Sequence, residues 1–288
     1  MRKIAAILFF GVLLLTLALH SSVVSAKREP QRKGGILFAA PGGTSTACSS
    51  WADACELQTA LGLAAAGDEI WVQAGIYKAT TGTDSTISFV LKNGVAIYGG
   101  FLGSETAREQ RDWESNPTIL SGEIGNPEVH ADNTYHVVRA DGVDASAVLD
   151  GFIIEHGNTY WSDPDVRGGG IYCLNNASPV FRDIILRHNY SERDGAGMYN
   201  NSSAPSLYNV TFENNTAEAL GGGMSNRLSN PIIVGATFSG NHAGYGGGMY
   251  NDGSNPSIQA AVFEDNTASL NSGGMSNWFT SSPYLKGV

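Results

Sequence analysis

The stretch "GGGMSNRLSNPIIVGATFSGNHA", residues 221–243, decides the fold. It holds no cysteine and no carboxylate, yet its parts recur along the chain. A glycine before an apolar residue falls at Gly170, Gly197, Gly223, Gly248 and Gly274, in steps of 27, 26, 25 and 26. Prolines follow at Pro179, Pro205, Pro231, Pro256 and Pro283, in steps of 26, 26, 25 and 27. Seven residues after the first four prolines stand Leu186, Phe212, Phe238 and Phe263, and three later Asn189, Asn215, Asn241 and Asn266. Three landmarks share one period over about 100 residues, which is the signature of a repeat architecture.

Helical solenoids need longer copies rich in helix formers. Here each copy sets Gly, Asn, Ser and Pro around short apolar runs, the pattern of strands and turns. The copy reads as three strands: one at Gly-Met-Tyr/Ser-Asn, one after the proline, one ending at Phe-x-x-Asn. Three strands and three turns per rung of about 26 residues describe an all-β, parallel β-helix solenoid. Its rungs stack ~4.8 Å apart. Ile171, Met198, Met224, Met249 and Met275 then form an inward column, as do Phe181, Leu207, Ile233 and Ile258. Asn200, Asn226, Asn251 and Asn277 stack with Cys173 in the first slot, an arrangement that passes amide hydrogen bonds between rungs. Glu155, Arg187, Glu213, Ser239 and Glu264 make an outward charge ladder. A lone rung cannot offset the entropy of ordering its own backbone, so the copies must shelter one another.

Before the repeats, "GILFAA" reads as a strand. "SWADACELQTALGLAAAGDEI" reads as an amphipathic helix with a Ser50/Asp53 capping box, placed to cover the open end of the first rung. The domain reading is a signal peptide at 1–26, an N-terminal cap at 27–68 and a β-helix of roughly eight rungs at 69–288. The repeat at Pro283 lacks its aromatic, so we expect the solenoid to be C-terminally incomplete in this chain.

The opening "MRKIAAILFFGVLLLTLALHSSVVSA" has a basic start, an apolar run and a small-residue cleavage site. That is the layout of a secretory signal; the rival reading is an uncleaved anchor. No later stretch is apolar enough to cross a bilayer. Removing the signal takes two positive charges and moves the formal net charge from -10 to -12. An acidic chain argues against nucleic acid and against polyanions held by charge alone. Export favours a Cys48–Cys55 disulfide over a zinc site, which needs more ligands, and Cys173 reads as a small buried residue.

The "GGGM", "GGGI", "FENN", "FSGN" and "FEDN" copies resemble the GG-[AI] and F-x-x-N repeats of polymorphic outer-membrane proteins. "CSSWADACELQTALGLAAAGDEIWVQAGIYK", "GVAIYGGF" and "LDGFII" resemble the front half of secreted bacterial β-helix proteins of the pectin-lyase-like class. The resemblance covers most of residues 40–288 and implies a right-handed coil. It does not select an activity, because that fold hosts lyases, hydrolases, esterases and adhesins.

Enzymes of this class carry clustered acids with a base or a calcium ion. The local candidate is "HGNTYWSDPDVRGGG", an insertion holding Trp161, Asp163, Asp165 and Arg167. Asp163 and Asp165 suit a Ca2+ ion or an acid–base pair, with Arg167 beside them; a solvated turn is the competing reading. His156 and His188 share a column that continues as Asn214, Gly240 and Asp265, which reads as turn surface. Tyr172, Tyr199 and Tyr250 follow the inward Ile/Met and should face outward, where with Trp161 they could stack on sugars. The leading expectation is a secreted or cell-surface solenoid for adhesion or display, with a polysaccharide or a host-surface ligand. The alternative is a polysaccharide lyase or hydrolase; a third is a surface layer without ligand.

Overall fold

The computed structural model describes residues 34–127, 129–160 and 165–288. The signal segment, Trp161 and Asp163 lie outside the described residues.

From Ile36 onward the chain winds as a parallel β-helix with three faces. Strands at the Gly-Met step, such as Met198–Asn201 and Met224–Arg227, build a seven-stranded Met sheet. Eight-residue strands after Pro179, Pro205 and Pro231, such as Val180–Arg187 and Ser206–Glu213, together with shorter strands build a twelve-stranded long sheet. Strands of two to five residues after each Phe-x-x-Asn build a five-stranded short sheet.

This corrects one element of the repeat. The sequence suggested two strands between proline and asparagine. The structure joins them after Pro179, Pro205 and Pro231, keeps them apart after Pro256 as Ser257–Gln259 and Val262–Glu264, and places a further strand beyond the asparagine. The joint is one left-handed residue: Asp183, Asn209 and Gly235, in the middle of the long strand, have φ of 50, 54 and 67°, and Ala260, between the two separate strands, has φ of 51°. Such a residue bends a strand and looks like a turn in sequence, while pairing continues on both sides.

The columns hold. Ile171, Met198, Met224, Met249 and Met275 are direct parallel partners. The first four are fully buried. Phe212, Phe238 and Phe263 stack with centroids 4.6 and 4.5 Å apart. The glycine before methionine reflects close approach of backbones: a Cβ on Gly223 would sit 2.6 Å from the Gly248 carbonyl oxygen. Two amide ladders cross the rungs. Asn200, Asn226, Asn251 and Asn277 pass Nδ2–Oδ1 bonds of 2.8, 2.9 and 2.8 Å. Asn189, Asn215, Asn241 and Asn266 do the same at 3.0, 3.0 and 2.9 Å. Each donor of this second ladder also reaches a backbone carbonyl of the preceding rung, as Asn215 does with Leu186 at 2.9 Å. A serine column, Ser203, Ser229, Ser254 and Ser281, adds bonds the repeat did not announce.

At the leading end, Ile36–Ala39 pairs in parallel with Glu69–Gln73, so the long sheet begins before residue 69. Its main path has nine strands, eight of them from Glu69 onward. The helix is Leu57–Leu63 alone, after a separate 3-10 turn at Trp51–Asp53. The capping box is absent: Asp53 bonds the Ser49 hydroxyl at 2.7 Å, and extended backbone at Ala54 parts the two turns. The Cys48–Cys55 disulfide spans this break. Leu57, Ala60 and Leu61 still enter the core and close the coil's end. Farther on, two segments leave the repeat. Residues 102–117 interrupt a long strand and are tied down by an Arg111–Asp150 ion pair of 2.5 Å. Residues 122–134 lie where a short strand would stack, with Gly122 N donating to Glu155 O at 2.8 Å and Asn158 N donating to Thr134 O at 2.9 Å. No helix among the described residues is long and apolar enough to cross a membrane.

Candidate functional site

The structure brings two separately expected groups together on the outer face of the Met sheet. Tyr172 and Tyr199 are adjacent in register, with centroids 5.8 Å apart. Arg167 lies over the Tyr199 ring at 5.5 Å. Its guanidinium binds Asp165 at 2.7 Å and, one rung on, Asp194 at 2.9 Å. The Tyr172 hydroxyl donates to the other oxygen of Asp165.

The tyrosines do point away from the coil's core, but the expectation of an exposed row is corrected. Tyr172, Tyr199 and Tyr250 are 4, 2 and 8% exposed. Rung spacing packs the first two rings against each other, and the bridged column Arg167, Asp194 and Leu220 flanks them. Burial works against the Arg167 charge, but its bonds to Asp165 and Asp194 outweigh that and hold the proton more firmly than usual. Burial pushes the Asp194 carboxyl up, with Arg167 partly opposing. It also raises the Tyr172 hydroxyl, which Asp165 raises further. A guanidinium held by two carboxylates is a strut; Asp163, the other acid of the expected pair, lies outside the described residues. Among the described residues no group of three or more His, Cys, Asp or Glu is arranged to hold a metal ion.

Chemistry is left over one rung further along. Ser225 occupies the tyrosine column between Tyr199 and Tyr250. The strands that carry those two rings lie two spacings, about 9.6 Å, apart. The missing ring leaves a slot of about 140 Å3, edged by Arg193, Arg227, Asp194 and Asp252. Arg193 and Arg227 are exposed. Asp194 is 5% exposed, and its Oδ1 is buried without a hydrogen-bond partner. An unpaired buried acceptor costs about 1–3 kcal/mol. The period alone could have paired Arg167 with Asp194, and Ser225 stands in the tyrosine column in the sequence itself.

A larger cavity of about 540 Å3 opens at the corner between the long and short sheets. Three imidazoles reach it, from His130, His156 and His188, with the Tyr160 and Tyr190 rings beside them. His156 and His188 do lie at a turn, as expected. Their column is left-handed throughout, with φ of 60, 52, 52, 64 and 52° at His156, His188, Asn214, Gly240 and Asp265, which explains its composition. His130 and Asn133 were missed because residues 122–134 belong to no repeat and give no column to read; Asn158 is in register with Tyr190 and Thr216, a column too varied to single it out.

No family model matches the chain, and no curated protein matches it. Among solved structures the chain is similar to that of pectate lyase Pel9A, with a TM-score of 0.57 and 14% identity, covering 88% of this chain and 62% of that one. The chain thus spans about three fifths of that protein's length. The likeness shows the fold, a right-handed parallel β-helix.

Proposed function

We propose that this is an exported polysaccharide-binding protein that holds its ligand along the outer face of the Met sheet, for adhesion or display. The observation that carries the reading is the slot over Ser225. Arg193 and Arg227 offer donors, Asp194 Oδ1 needs one, and Tyr199 and Tyr250 flank the space. A sugar unit supplies hydroxyls of both kinds and an apolar ring face for the tyrosines. A face that repeats along the coil axis suits a ligand that repeats. The disulfide and the signal-like start support export. Calcium would act, in this reading, only through Asp163 and Asp165.

The test is affinity electrophoresis against a polysaccharide panel that includes polygalacturonate and neutral glucans. Ser225→Tyr completes the tyrosine column and fills the slot. It should keep the fold and abolish retardation by whichever polymer binds. Retardation unaltered by Ser225→Tyr would defeat the proposal.

Cleavage is the second reading, favoured by the likeness to a pectate lyase. Release of unsaturated products from polygalacturonate, lost in Asp165→Asn, would replace binding with lysis.

A further inference from the structure

We propose that the corner cavity is a second binding site, specific for a neutral pyranose unit held through neighbouring hydroxyls. It stands on residues of the 122–134 segment, the corner turns and the short sheet, and does not depend on the Met-sheet reading.

The argument starts from two amides. Asn133 Nδ2 donates to the His156 carbonyl at 2.9 Å, and Asn158 Nδ2 donates to the His130 carbonyl at 2.6 Å. Those bonds fix which end of each amide is oxygen. Both Oδ1 atoms are buried and neither has a hydrogen-bond donor. The residues are 2 and 4% exposed, and both line the cavity. Two unpaired acceptors on residues that line one cavity point to a ligand with at least two donors. In the regular coil the equivalent need does not arise, because Asn189, Asn215 and Asn241 each accept from a neighbouring rung. The Asn189 ladder ends at Gly157, whose backbone N–H donates to Asn189 Oδ1 at 3.0 Å, and the cavity begins there.

The walls define the rest of the ligand. No Asp, Glu, Lys or Arg lines the cavity among the described residues. Burying an ion where no described lining residue is an acid, Lys or Arg is unfavourable, which favours a neutral molecule. A neutral imidazole carries one donor and one acceptor, matching a hydroxyl that does both. The Tyr160 and Tyr190 rings, 6.0 Å apart and inclined at 36°, supply an apolar wall for the C–H face of a ring. The Tyr190 hydroxyl is already engaged by Glu218 at 3.0 Å, so its ring is held in place. About 540 Å3 lies in the range of small-ligand sites.

The experiment uses the whole exported chain and follows the His130, His156 and His188 ring resonances. The probes are the methyl glycosides of glucose, galactose and mannose, with galacturonate and choline as charged competitors. At least one neutral glycoside should shift these resonances in a saturable way, and the charged probes should not. Asn158→Leu removes an acceptor and should weaken binding about tenfold. Tyr160→Ala, at the partly exposed rim, should weaken it by a similar factor and serves if Asn158→Leu fails to fold. Ser225→Tyr should leave the glycoside-induced shifts of these three histidine resonances as they were, which separates this site from the Met-sheet slot. The proposal is overturned if only galacturonate or choline binds. It is also overturned if Ser225→Tyr rather than Asn158→Leu or Tyr160→Ala removes glycoside binding. If no probe shifts the resonances, the amide oxygens are satisfied by water alone and the proposal falls.

Discussion

Asn215 and Asn158 are both buried asparagines on the same flank of the coil, and they live differently. Asn215 sits inside the regular repeat. Its Nδ2 bonds Asn241 and the Leu186 carbonyl, and its Oδ1 takes the Asn189 amide. Asn158 sits where residues 122–134 replace a rung, and its Oδ1 has no donor. Glu123, Asp132 and Asn133, in the same replaced region, also bury an unpartnered side-chain oxygen. Translation along the axis satisfies the stacked asparagines, since each meets its twin in the same geometry; Glu192 and Asp194, which are not in those ladders, each leave an oxygen unpartnered inside the repeat. Where translation stops, oxygens are stranded and cavities open. Binding sites in this molecule are therefore sought at the faults in the repeat.

The regular half can be broken most severely at Phe238. Its ring is fully buried between Phe212 and Phe263. A central rung cannot collapse around the hole without losing register with both neighbours. Phe238→Ala should lower the unfolding free energy by about 3–5 kcal/mol, read as a lower denaturant midpoint. A loss below about 1 kcal/mol would mean the rungs are not held together by this column.

The irregular half should reveal itself through pH. His136 is buried, with Nδ1 3.0 Å from the Gly168 carbonyl oxygen and its ring 4.7 Å from Tyr172. Burial pushes its pKa down to about 4, although the Gly168 bond and Asp165 pull upward and Arg139 reinforces the fall. In the unfolded chain the value is about 6.5. The folded value is the lower one, so this stabilisation is complete above pH ~6.5 and is lost as pH falls toward 4. The loss amounts to about 3 kcal/mol at most. Asp150 and Asp194, which burial raises, act in the opposite sense at the acid end. The decisive quantity is thus the difference between the natural chain and His136→Phe, from urea unfolding at pH 7 and pH 4.5. That difference should shift in favour of the variant on acidification; a constant difference would show that His136 does not titrate on unfolding.

The same contrast governs what could be read beforehand. The inward columns, the Asn200 ladder and the Glu155/Arg187 pairing follow from the period, because one copy explains all. Arg187 Nε indeed meets Glu155 at 2.7 Å. The long strand was cut in two because Asn209 and Gly235 signal turns, and only pairing on both sides reveals a bend instead. Tyrosine alternation with methionine gave the direction of the rings correctly. It could not give their burial, which depends on Arg167, Asp194 and Leu220 at the next corner. The cavity was illegible for a deeper reason. Asn133 and His130 reach Asn158 and His156 through a segment with no counterpart elsewhere in the chain.

The smallest expected effect concerns the point where a ladder stops. Asn200 Oδ1 is buried and has no donor. The residue in register with it is Cys173, fully buried, whose thiol burial keeps protonated and which donates only weakly. Cys173→Asn would give that oxygen an amide donor and lengthen a ladder whose existing bonds are 2.8–2.9 Å. The new amide would itself face Ala140, the next residue in register, and so carry an unpartnered oxygen one rung earlier. The gain is one hydrogen bond against a relocated vacancy, about 1 kcal/mol, read as a small rise in the unfolding midpoint. Adding Ala140→Ser would place a hydroxyl toward the relocated oxygen and should raise stability again. If the first substitution is neutral and the second stabilising, the terminal acceptor sets the ladder's worth. If both are neutral, the ladder records the register of the rungs without reinforcing it.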